Sequence, residues 1–261
     1  MSDEALVLRQ DNADGVVTLT LNRPAARNAL SVALMGALQA ALDALAGDKS
    51  ARVVVIAGAG AAFCAGHDLK ELRAHPGRQA YEAVFGQCAR LMTSIVALPK
   101  PVIARVHGVA TAAGCQLAAS CDLVVAAEDA RFATPGVNIG LFCSTPMVAL
   151  SRAIGRKPAM EMLLTGAMID ADQARHWGLV NRVVPAAQLE AAAAALAAEI
   201  AAKSPLTVAI GKKAFYAQAE LGLEKAYAFT AEVMTTNMLA RDAAEGIDAF
   251  LEKRKPIWEG R

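Results

Sequence analysis

Two loops rich in glycine and alanine carry the residues best placed to do chemistry. The first, GAGAAFCAGHDLKEL, follows a predicted buried strand at 53–58, and its Gly66 allows a tight turn before residues 67–68 start a predicted helix. The second, HGVATAAGCQLAAS, follows a predicted strand at 102–108 and places the amides of 112–114 at or near a helix N-terminus. Such amides lack intrahelical partners and can donate to an anionic oxygen. If one such amide from each loop points to the same place, the pair would form an oxyanion hole. The alternative is that both glycine-rich loops only connect strands to helices.

Other kinds of site are not favoured by the sequence. Gly58, Ala59 and Gly60 begin a dinucleotide-binding fingerprint, but its third glycine falls on Phe63. The four histidines lie far apart without ligand spacing, so no metal site is expected. The five cysteines form no C-x-x-C pair and are expected to be reduced, mostly buried thiols.

The flanking sequence predicts an α/β layer fold with a helical C-terminal third. The alternation in VVTLTLN indicates a half-buried strand, and Ser31 opens an amphipathic segment that reads as a helix to Gly47. Short β-branched apolar runs predict buried strands between the helices. The predicted strands are 5–10, 15–22, 53–58, 102–108, 122–127 and 179–184. The predicted helices are 31–47, 78–97, the segment TAAGCQLAAS, and most of 145–255.

Composition and charge exclude several classes of protein. Of the 261 residues, 55% are hydrophobic and 20% charged, which excludes a disordered chain. The 26 Lys and Arg against 25 Asp and Glu give a net charge of +1, which supports neither a nucleic-acid nor a membrane partner. No apolar run is long enough to predict a transmembrane helix. The N-terminal MSDEALVLRQ carries acids where a signal peptide needs a basic region, so a cytoplasmic location is expected.

Five segments, taken in their order and spacing, resemble the enoyl-CoA hydratase/isomerase (crotonase) superfamily over nearly the whole chain. The runs ATAAGCQLAASCD and FATPGVNIGLFCSTP are most similar to its enoyl-CoA hydratase domain-containing proteins, a subgroup that lacks both catalytic glutamates. The segments that carry the resemblance are NRPAARNALS (22–31), FCAGHDLKEL (63–72), VHGVATAAGCQLAASCDLVVAAEDARFATPGVNIGL (106–141), LLTGAMIDADQARHWGLVNRVVP (163–185) and EGIDAFLEKRKP (245–256).

The resemblance implies both an architecture and an assembly. The fold would be the α/β crotonase (ClpP-like) spiral of ββα units over residues 1–200, followed by a C-terminal helical oligomerisation region at 201–261. The assembly would be a homotrimer or a hexamer built from two trimers. The small-molecule substrate would be an acyl-CoA, and no separate cofactor is expected because coenzyme A is part of that substrate.

The resemblance also implies roles for individual residues. The backbone amides of His67 and Ala113 would be the two donors to the thioester carbonyl. The residues implied to line the bound acyl-CoA are His67, Asp68, Leu69, Lys70 and Ala113, with Met234 and Lys253 reaching its nucleotide end from a neighbouring chain.

Two positions depart from the family's hydratases, which carry one glutamate in a G-C-E-L motif and a second in a P-E motif. Here these positions are Gln116 and Gly136. One acid–base group contributes typically about 10²–10⁴-fold to a rate, so their loss should cripple ordinary hydration. Gly136 follows Pro135, and a backbone conformation open only to glycine is expected there. Dienoyl-CoA isomerases carry an acid where Ser144 lies; Ser144 could relay a proton, or simply cap a helix.

Three functions stay open at this point. The chain could be a lyase or isomerase of the enoyl-CoA hydratase class in fatty acid metabolism, with an unidentified acid. It could catalyse a different acyl-CoA reaction that needs mainly enolate stabilisation, such as decarboxylation or thioester hydrolysis. It could also bind acyl-CoA without catalysis. Candidate proton carriers are Glu71, His75, Tyr81, Glu82, Cys143 and the His67 side chain, each of which could instead be structural.

Overall fold

A six-stranded sheet lies at the centre of the protein and carries both candidate loops at one edge. The structure, a computed structural model, describes residues 5–261. Across this sheet the order of the strands is β1 (Val7–Asp11), β2 (Val16–Leu21), β3 (Val53–Gly58), β4 (Val102–Val106), β6 (Leu123–Ala127) and β9 (Arg182–Val184). The first pair is antiparallel and all the others are parallel. The carboxyl ends of β3 and β4 therefore meet at the same edge, which brings the two loops together.

A second sheet fixes the shape of these loops. Its three strands are β5 (Val109–Thr111), β7 (Arg131–Ala133) and β8 (Ile169–Asp170), with β5 and β7 parallel and β7 and β8 antiparallel. Strands of two or three residues are too short to give a period-two signal, which is why the sequence does not predict them.

Eleven α-helices lie within residues 5–261. They are α1 (Val32–Gly47), α2 (Leu69–Ala74), α3 (Arg78–Ala97), α4 (Ala113–Ser120), α5 (Pro146–Ala153), α6 (Arg156–Thr165), α7 (Ala171–Trp177), α8 (Leu189–Ala201), α9 (Pro205–Ala219), α10 (Leu223–Met238) and α11 (Arg241–Leu251). The α3 bounds are those predicted, and the Ser31 hydroxyl caps α1 by accepting the Leu34 amide at 3.1 Å. The predicted α/β architecture with a helical last third is confirmed.

The two faces of the main sheet are covered by different helices. On one face, α1, α3 and α4 contribute Leu34, Leu91 and Leu117 to the larger buried cluster. On the other, α8 contributes Leu196 to a smaller cluster that includes Val55 of β3. Parallel strands buried on both faces require apolar residues at nearly every position, and this explains the continuous run VVVIA in β3.

The last three helices bury little of their surface within one protomer. Phe215, Tyr227, Met234 and Phe250, all on α9–α11, are 62–83% exposed. Their attachment to the core is polar: the Lys212 ammonium donates to an Asp122 carboxylate oxygen at 2.7 Å and to two backbone carbonyls at 2.9 Å. The predicted division at 200/201 falls at the end of α8, and the assignment of 201–261 as an oligomerisation region stays a prediction.

Within the part of the chain that the structure describes, no single helix is long and apolar enough to cross a membrane. The segments Ala186–Ala201 and Pro205–Ala219 reach that length and composition only together, and they are bent by 103° at the break between them.

Candidate active site

The loop after β3 is held on both sides by backbone hydrogen bonds. On one side, the Cys64 amide donates to the Val109 carbonyl at 3.1 Å and the Cys64 carbonyl accepts the Thr111 amide at 3.0 Å. On the other side, the Gly66 carbonyl accepts the Leu30 amide at 2.7 Å. Gly66 has a φ of +99°, which favours glycine, and an added Cβ would lie 3.0 Å from the Thr111 carbonyl oxygen. The peptide that links Gly66 to residue 67 therefore has a fixed orientation.

The second loop reaches α4 through a strained residue. Ala112 has φ 50° and ψ −118°, which a residue with a side chain rarely adopts, and its amide is held by the Ala133 carbonyl at 2.9 Å. Two residues on, an added Cβ at Gly114 would lie well inside contact distance of the Cys64 carbonyl oxygen. Only glycine allows α4 to approach the first loop this closely. The first bond within the helix runs from the Gln116 amide to the Ala112 carbonyl at 3.0 Å.

These constraints bring two unused backbone amides close together. An ideal Cβ built on Gly66 lies 3.5 Å from the Ala113 nitrogen. Within residues 5–261, neither the His67 amide nor the Ala113 amide donates to a protein acceptor. Ala113 is the first residue of an eight-residue helix, so the positive end of the helix dipole lies at its amide. Two N–H donors are thus available to a ligand at adjacent positions.

The helix predicted to start at 67–68 begins at Leu69, with Asp68 as its N-cap. Asp68 precedes α2, and its carboxylate accepts the amides of Lys70 and Glu71 at 3.1 and 3.3 Å, which occupies the first donors of that helix. Arg23 lies 3.0 Å from the same carboxylate. Burial alone would raise the pKa of the Asp68 carboxyl, but the hydrogen bonds from Arg23 and these amides hold that pKa below its usual value. The donor that is left is the His67 amide, before the helix.

Gln116 and Gly136, the positions at which the resemblance implies glutamates in the family's hydratases, carry no carboxylate. Gln116 is buried on α4, and its side-chain oxygen lies 3.9 Å from the Cys88 thiol. Gly136 is also buried, but its φ is not in the left-handed region. The expectation of a backbone conformation open only to glycine was therefore wrong. The obstacle there is space: an added Cβ would lie 2.7 Å from the Leu141 carbonyl oxygen and 2.9 Å from the Cys143 sulfur.

Ser144 and Cys143 lie beside this closed position. The Ser144 hydroxyl is exposed and donates to the Phe142 carbonyl at 3.3 Å. It does not cap a helix, because α5 begins at Pro146 after Thr145, and that interpretation was wrong. Burial raises the pKa of the Cys143 thiol, opposed by a hydrogen bond from the Gly136 amide, so the thiol is protonated at neutral pH. Neither group is activated as a nucleophile.

The remaining predicted residues lie on separate elements. Leu69 and Lys70 are exposed on α2, which follows His67 directly after Asp68. Met234 lies on the exposed surface of α10, and Lys253 follows α11. That these two residues contact the nucleotide end of an acyl-CoA bound to a neighbouring protomer stays a prediction. Sequence reasoning missed Phe85, whose ring lies edge-on to the His67 ring with centroids 5.5 Å apart.

A cavity of about 620 Å³ opens beside Gln116. One side is the α4 face that bears Gln116, Ala119 and Ser120, and the rest of the wall comes from α3, α5, α9 and the segments 121–124 and 178–181. Most of the lining is apolar, and an ion pair between Arg152 and Glu220, at 3.2 Å, stands among its polar residues.

The thiols are buried, as predicted, and among the described residues no two are joined in a disulfide. Burial raises the pKa of Cys64 and of Cys115 to about 12 and that of Cys88 to about 11. Across residues 5–261, no three His, Cys, Asp or Glu side chains come close enough to hold a metal ion.

Comparison with known proteins gives a consistent result. The model of the family described as enoyl-CoA hydratase/isomerase matches residues 11–261. The enoyl-CoA hydratase domain-containing protein 3, mitochondrial, of Xenopus laevis is 49% identical over 252 residues, which cover 97% of this chain and 85% of that protein. The 2,3-dehydroadipyl-CoA hydratase of Escherichia coli K12 is 39% identical over 259 residues, which cover 99% of both chains. A crystal structure of an enoyl-CoA hydratase from Mycobacterium smegmatis superposes with a TM-score of 0.96 at 56% identity, covering 98% of this chain and 99% of the other.

Proposed function

The chain belongs to the enoyl-CoA hydratase/isomerase family and has its crotonase fold, and from that premise we propose that it binds an acyl-CoA thioester at the two free amides. The thioester oxygen accepts hydrogen bonds from the His67 and Ala113 amides. When the α-carbon loses a proton, negative charge develops on that oxygen, and preorganised donors stabilise it. The observation that carries the proposal is the adjacency of two unused amides on strained backbone. No cofactor beyond the coenzyme A of the substrate is required.

The reaction is one that depends on stabilising a thioester enolate rather than on two carboxylates. Family membership supports an enzyme of lyase or isomerase type. Gln116 and the closed position at Gly136 argue against efficient hydration of an enoyl-CoA, because neither residue can deliver or accept a proton near neutral pH.

The cavity beside Gln116 is the proposed binding site of the acyl chain. It begins one helical turn along α4 from Ala113, and its lining from Met92, Val148 and Phe215 is suited to a hydrocarbon. We infer that the acyl group runs from the thioester past Gln116 into this space.

The exposed apolar surface of α9–α11 supports a homotrimer, alone or doubled to a hexamer. Side chains such as Tyr227 and Phe250, more than two thirds exposed in one protomer, are typical of a surface that a second copy covers. Light scattering should give a mass of three or six chains. A stable monomer with unimpaired CoA binding would contradict both this assembly and the roles of Met234 and Lys253.

The expected cytoplasmic location stays a prediction. It rests partly on residues 1–4, which lie outside the described residues, and the Xenopus relative is named as a mitochondrial protein.

The experiment that tests the proposal removes one amide proton and keeps the helix. Ala113→Pro deletes the N–H at the first position of α4, where proline is tolerated. Arg156→Pro, at the first position of α6, is the matched control. The probe is an aryl-enoyl-CoA whose absorption moves to longer wavelength as its carbonyl oxygen gains negative character.

The native protein and Arg156→Pro should both bind the probe and shift its spectrum. Ala113→Pro should leave the spectrum unshifted, with the fold checked by circular dichroism. An equal shift in Ala113→Pro, or no binding of the probe by the native protein, would contradict the proposed function.

A further inference from the structure

The His67 side chain has two buried ring nitrogens, and neither has a hydrogen-bond partner within residues 5–261. Buried polar atoms are almost always paired, so an unpaired one calls for an explanation. In the described chain, four buried side-chain nitrogen or oxygen atoms are unpaired: both ring nitrogens of His67, the Thr134 hydroxyl and the Arg52 Nε. Thr134 is two residues before Gly136, so three of the four atoms belong to the candidate active site or its immediate neighbour.

The polar groups around the imidazole form hydrogen bonds or ion pairs with other residues. The Glu71 carboxylate accepts the Val32 amide at 2.9 Å, and Asp68 is engaged by Arg23 and by α2. The Leu30 carbonyl accepts the Asp68 amide at 3.2 Å. Apart from the Leu30 carbonyl, which lies close enough to act on the pKa of the imidazole, no polar group among the described residues is left to pair with the ring, and at least one ring nitrogen is available to a bound molecule.

The His67 imidazole and the Gln116 side chain each lie against α3, about one helical turn apart along it. The His67 ring touches Phe85 of α3, and one helical turn along α3 the Cys88 thiol lies 3.9 Å from the Gln116 side-chain oxygen. His67 also supplies one of the two free amides. A thioester oxygen bound to that amide consequently lies within one side-chain length of the imidazole.

We propose that the His67 imidazole is the acid–base group that acts at the α-carbon of the bound thioester, in place of the missing carboxylates; this rests on the proposed function. A neutral ring nitrogen takes the proton of the α C–H bond. The electrons of that bond form the C=C bond of the enolate, and the carbonyl π electrons move to the oxygen held by the two amides. The imidazolium exchanges its N–H proton with solvent water, and return of a solvent-derived proton to the α-carbon completes the cycle; no other reactant is needed.

The surroundings keep this imidazole neutral near pH 7. Burial lowers the pKa of His67 below its usual 6.5, opposed by the Leu30 carbonyl and by the charge of Glu71. The other charged groups near it are the paired Asp68 and Arg23. On α3, Tyr81 lies beside Phe85, and the Cys88 thiol is protonated because burial raises its pKa to about 11.

The experiment measures exchange of the α-hydrogens of butyryl-CoA for deuterium in D₂O by mass spectrometry. His67→Gln removes the titrating group and keeps the backbone amide, so binding of butyryl-CoA should persist while exchange falls by about 10²–10⁴-fold. His176→Gln, on the exposed surface of α7, is the matched control and should exchange as the native protein does.

Two further readouts separate a catalytic role from a structural one. In the native protein, exchange should be flat above pH 7 and fall as the pH drops through the lowered pKa of His67; this fall should be absent from the residual rate of His67→Gln. Because the ring nitrogens are unpaired, His67→Leu should lose exchange and keep or raise the melting temperature.

The possible failures are distinguishable. Equal exchange and an equal pH profile in His67→Gln would overturn the role of the imidazole, as would native protein that binds butyryl-CoA without exchanging its α-hydrogens. A melting temperature that falls sharply in both His67 variants, with exchange intact in the folded fraction, would show a structural role. Native protein that does not bind butyryl-CoA would instead overturn the proposed function itself.

Discussion

The two halves of the candidate active site are built on different principles. The half proposed to hold the thioester oxygen consists of backbone: the amides of His67 and Ala113, fixed by Gly66, Gly114 and the strained Ala112. The other half depends on side chains and has none of the expected carboxylates within its reach.

The difference shows which parts of a site can change independently. A backbone amide survives any substitution of its own side chain other than proline, so position 67 can be histidine without loss of the donor. A carboxylate disappears with one substitution, and the space at Gly136 is now occupied by Leu141 and Cys143. Stabilisation of an enolate is compatible with this arrangement, while proton transfer needs another group.

The largest predicted effect comes from breaking the backbone half. Gly114→Ala places a Cβ against the Cys64 carbonyl, and neither backbone can yield without moving the free amides. We expect the free energy of unfolding to fall by about 3 kcal/mol or more, and acyl-CoA binding to be lost. Gly36→Ala, in the middle of α1 with only an ordinary contact to Gln87, should instead be neutral or gain up to about 1 kcal/mol. Urea unfolding and calorimetric titration would measure both; equal stability of the two variants would contradict the close approach.

A smaller effect is expected from rebuilding the side-chain half. The native protein should hydrate crotonyl-CoA far more slowly than the roughly 10 s⁻¹ typical of enzymes. Gln116→Glu with Gly136→Glu should restore little activity, because the new side chain at 136 meets Leu141 and Cys143 and costs about 1–3 kcal/mol.

Adding Cys143→Ala to this double variant removes the contact with the sulfur. Hydration, followed by the absorbance of the enoyl thioester, should then exceed that of the double variant, and Cys143→Ala alone should gain nothing. Rapid hydration by the native protein would show that an acid–base pair suited to water addition is already present.

The smallest effect concerns Asp68, which follows His67, caps α2 and pairs with Arg23. Hydrogen bonds lower the pKa of the Asp68 carboxyl in the folded state. The ionised carboxylate therefore stabilises the folded protein at pH values above the unfolded pKa, near 3.9, and this contribution is lost as the pH falls through the lower folded pKa. Asp68→Asn keeps the cap of α2 and loses the Arg23 ion pair, which should cost about 0.5–1 kcal/mol at pH 7 and less below pH 3.

The control for this variant is Asp129→Asn, at an exposed position, which should leave the free energy of unfolding unchanged. Urea titrations at the two pH values would decide the outcome. An effect of Asp68→Asn that is the same at both pH values would show that the charge of Asp68 is not what stabilises the folded protein.

The elements with a strong periodic signal could be predicted from sequence. The bounds of α3 and β3 agree with the prediction, since each is set by a long apolar pattern or a continuous buried run. Strands β5, β7 and β8 could not be found, because pairs formed by two or three residues depend on tertiary contacts.

The site was predictable as backbone and not as side chains. The glycines at 66 and 114 indicated the loops, and the His67 amide was already expected as a donor; the structure adds that Asp68 occupies the amides of Lys70 and Glu71, which leaves the His67 amide free. The closure of Gly136 depends on a segment that folds back over it, from Leu141 to Cys143, and no local pattern encodes that approach. The unpaired state of the His67 ring is likewise visible only once its neighbours are placed.

The five buried thiols give the protein a set of internal probes for opening motions. Alkylating reagents react with thiolates, and burial raises the pKa of Cys64, Cys88, Cys115, Cys121 and Cys143 while excluding the reagent. Labelling in native buffer therefore proceeds only through states in which the surrounding elements have separated, and its rate reports their population. These cysteines lie on the first loop, on α3, at both ends of α4 and beside Gly136, so the order in which they are labelled gives the order in which these regions open.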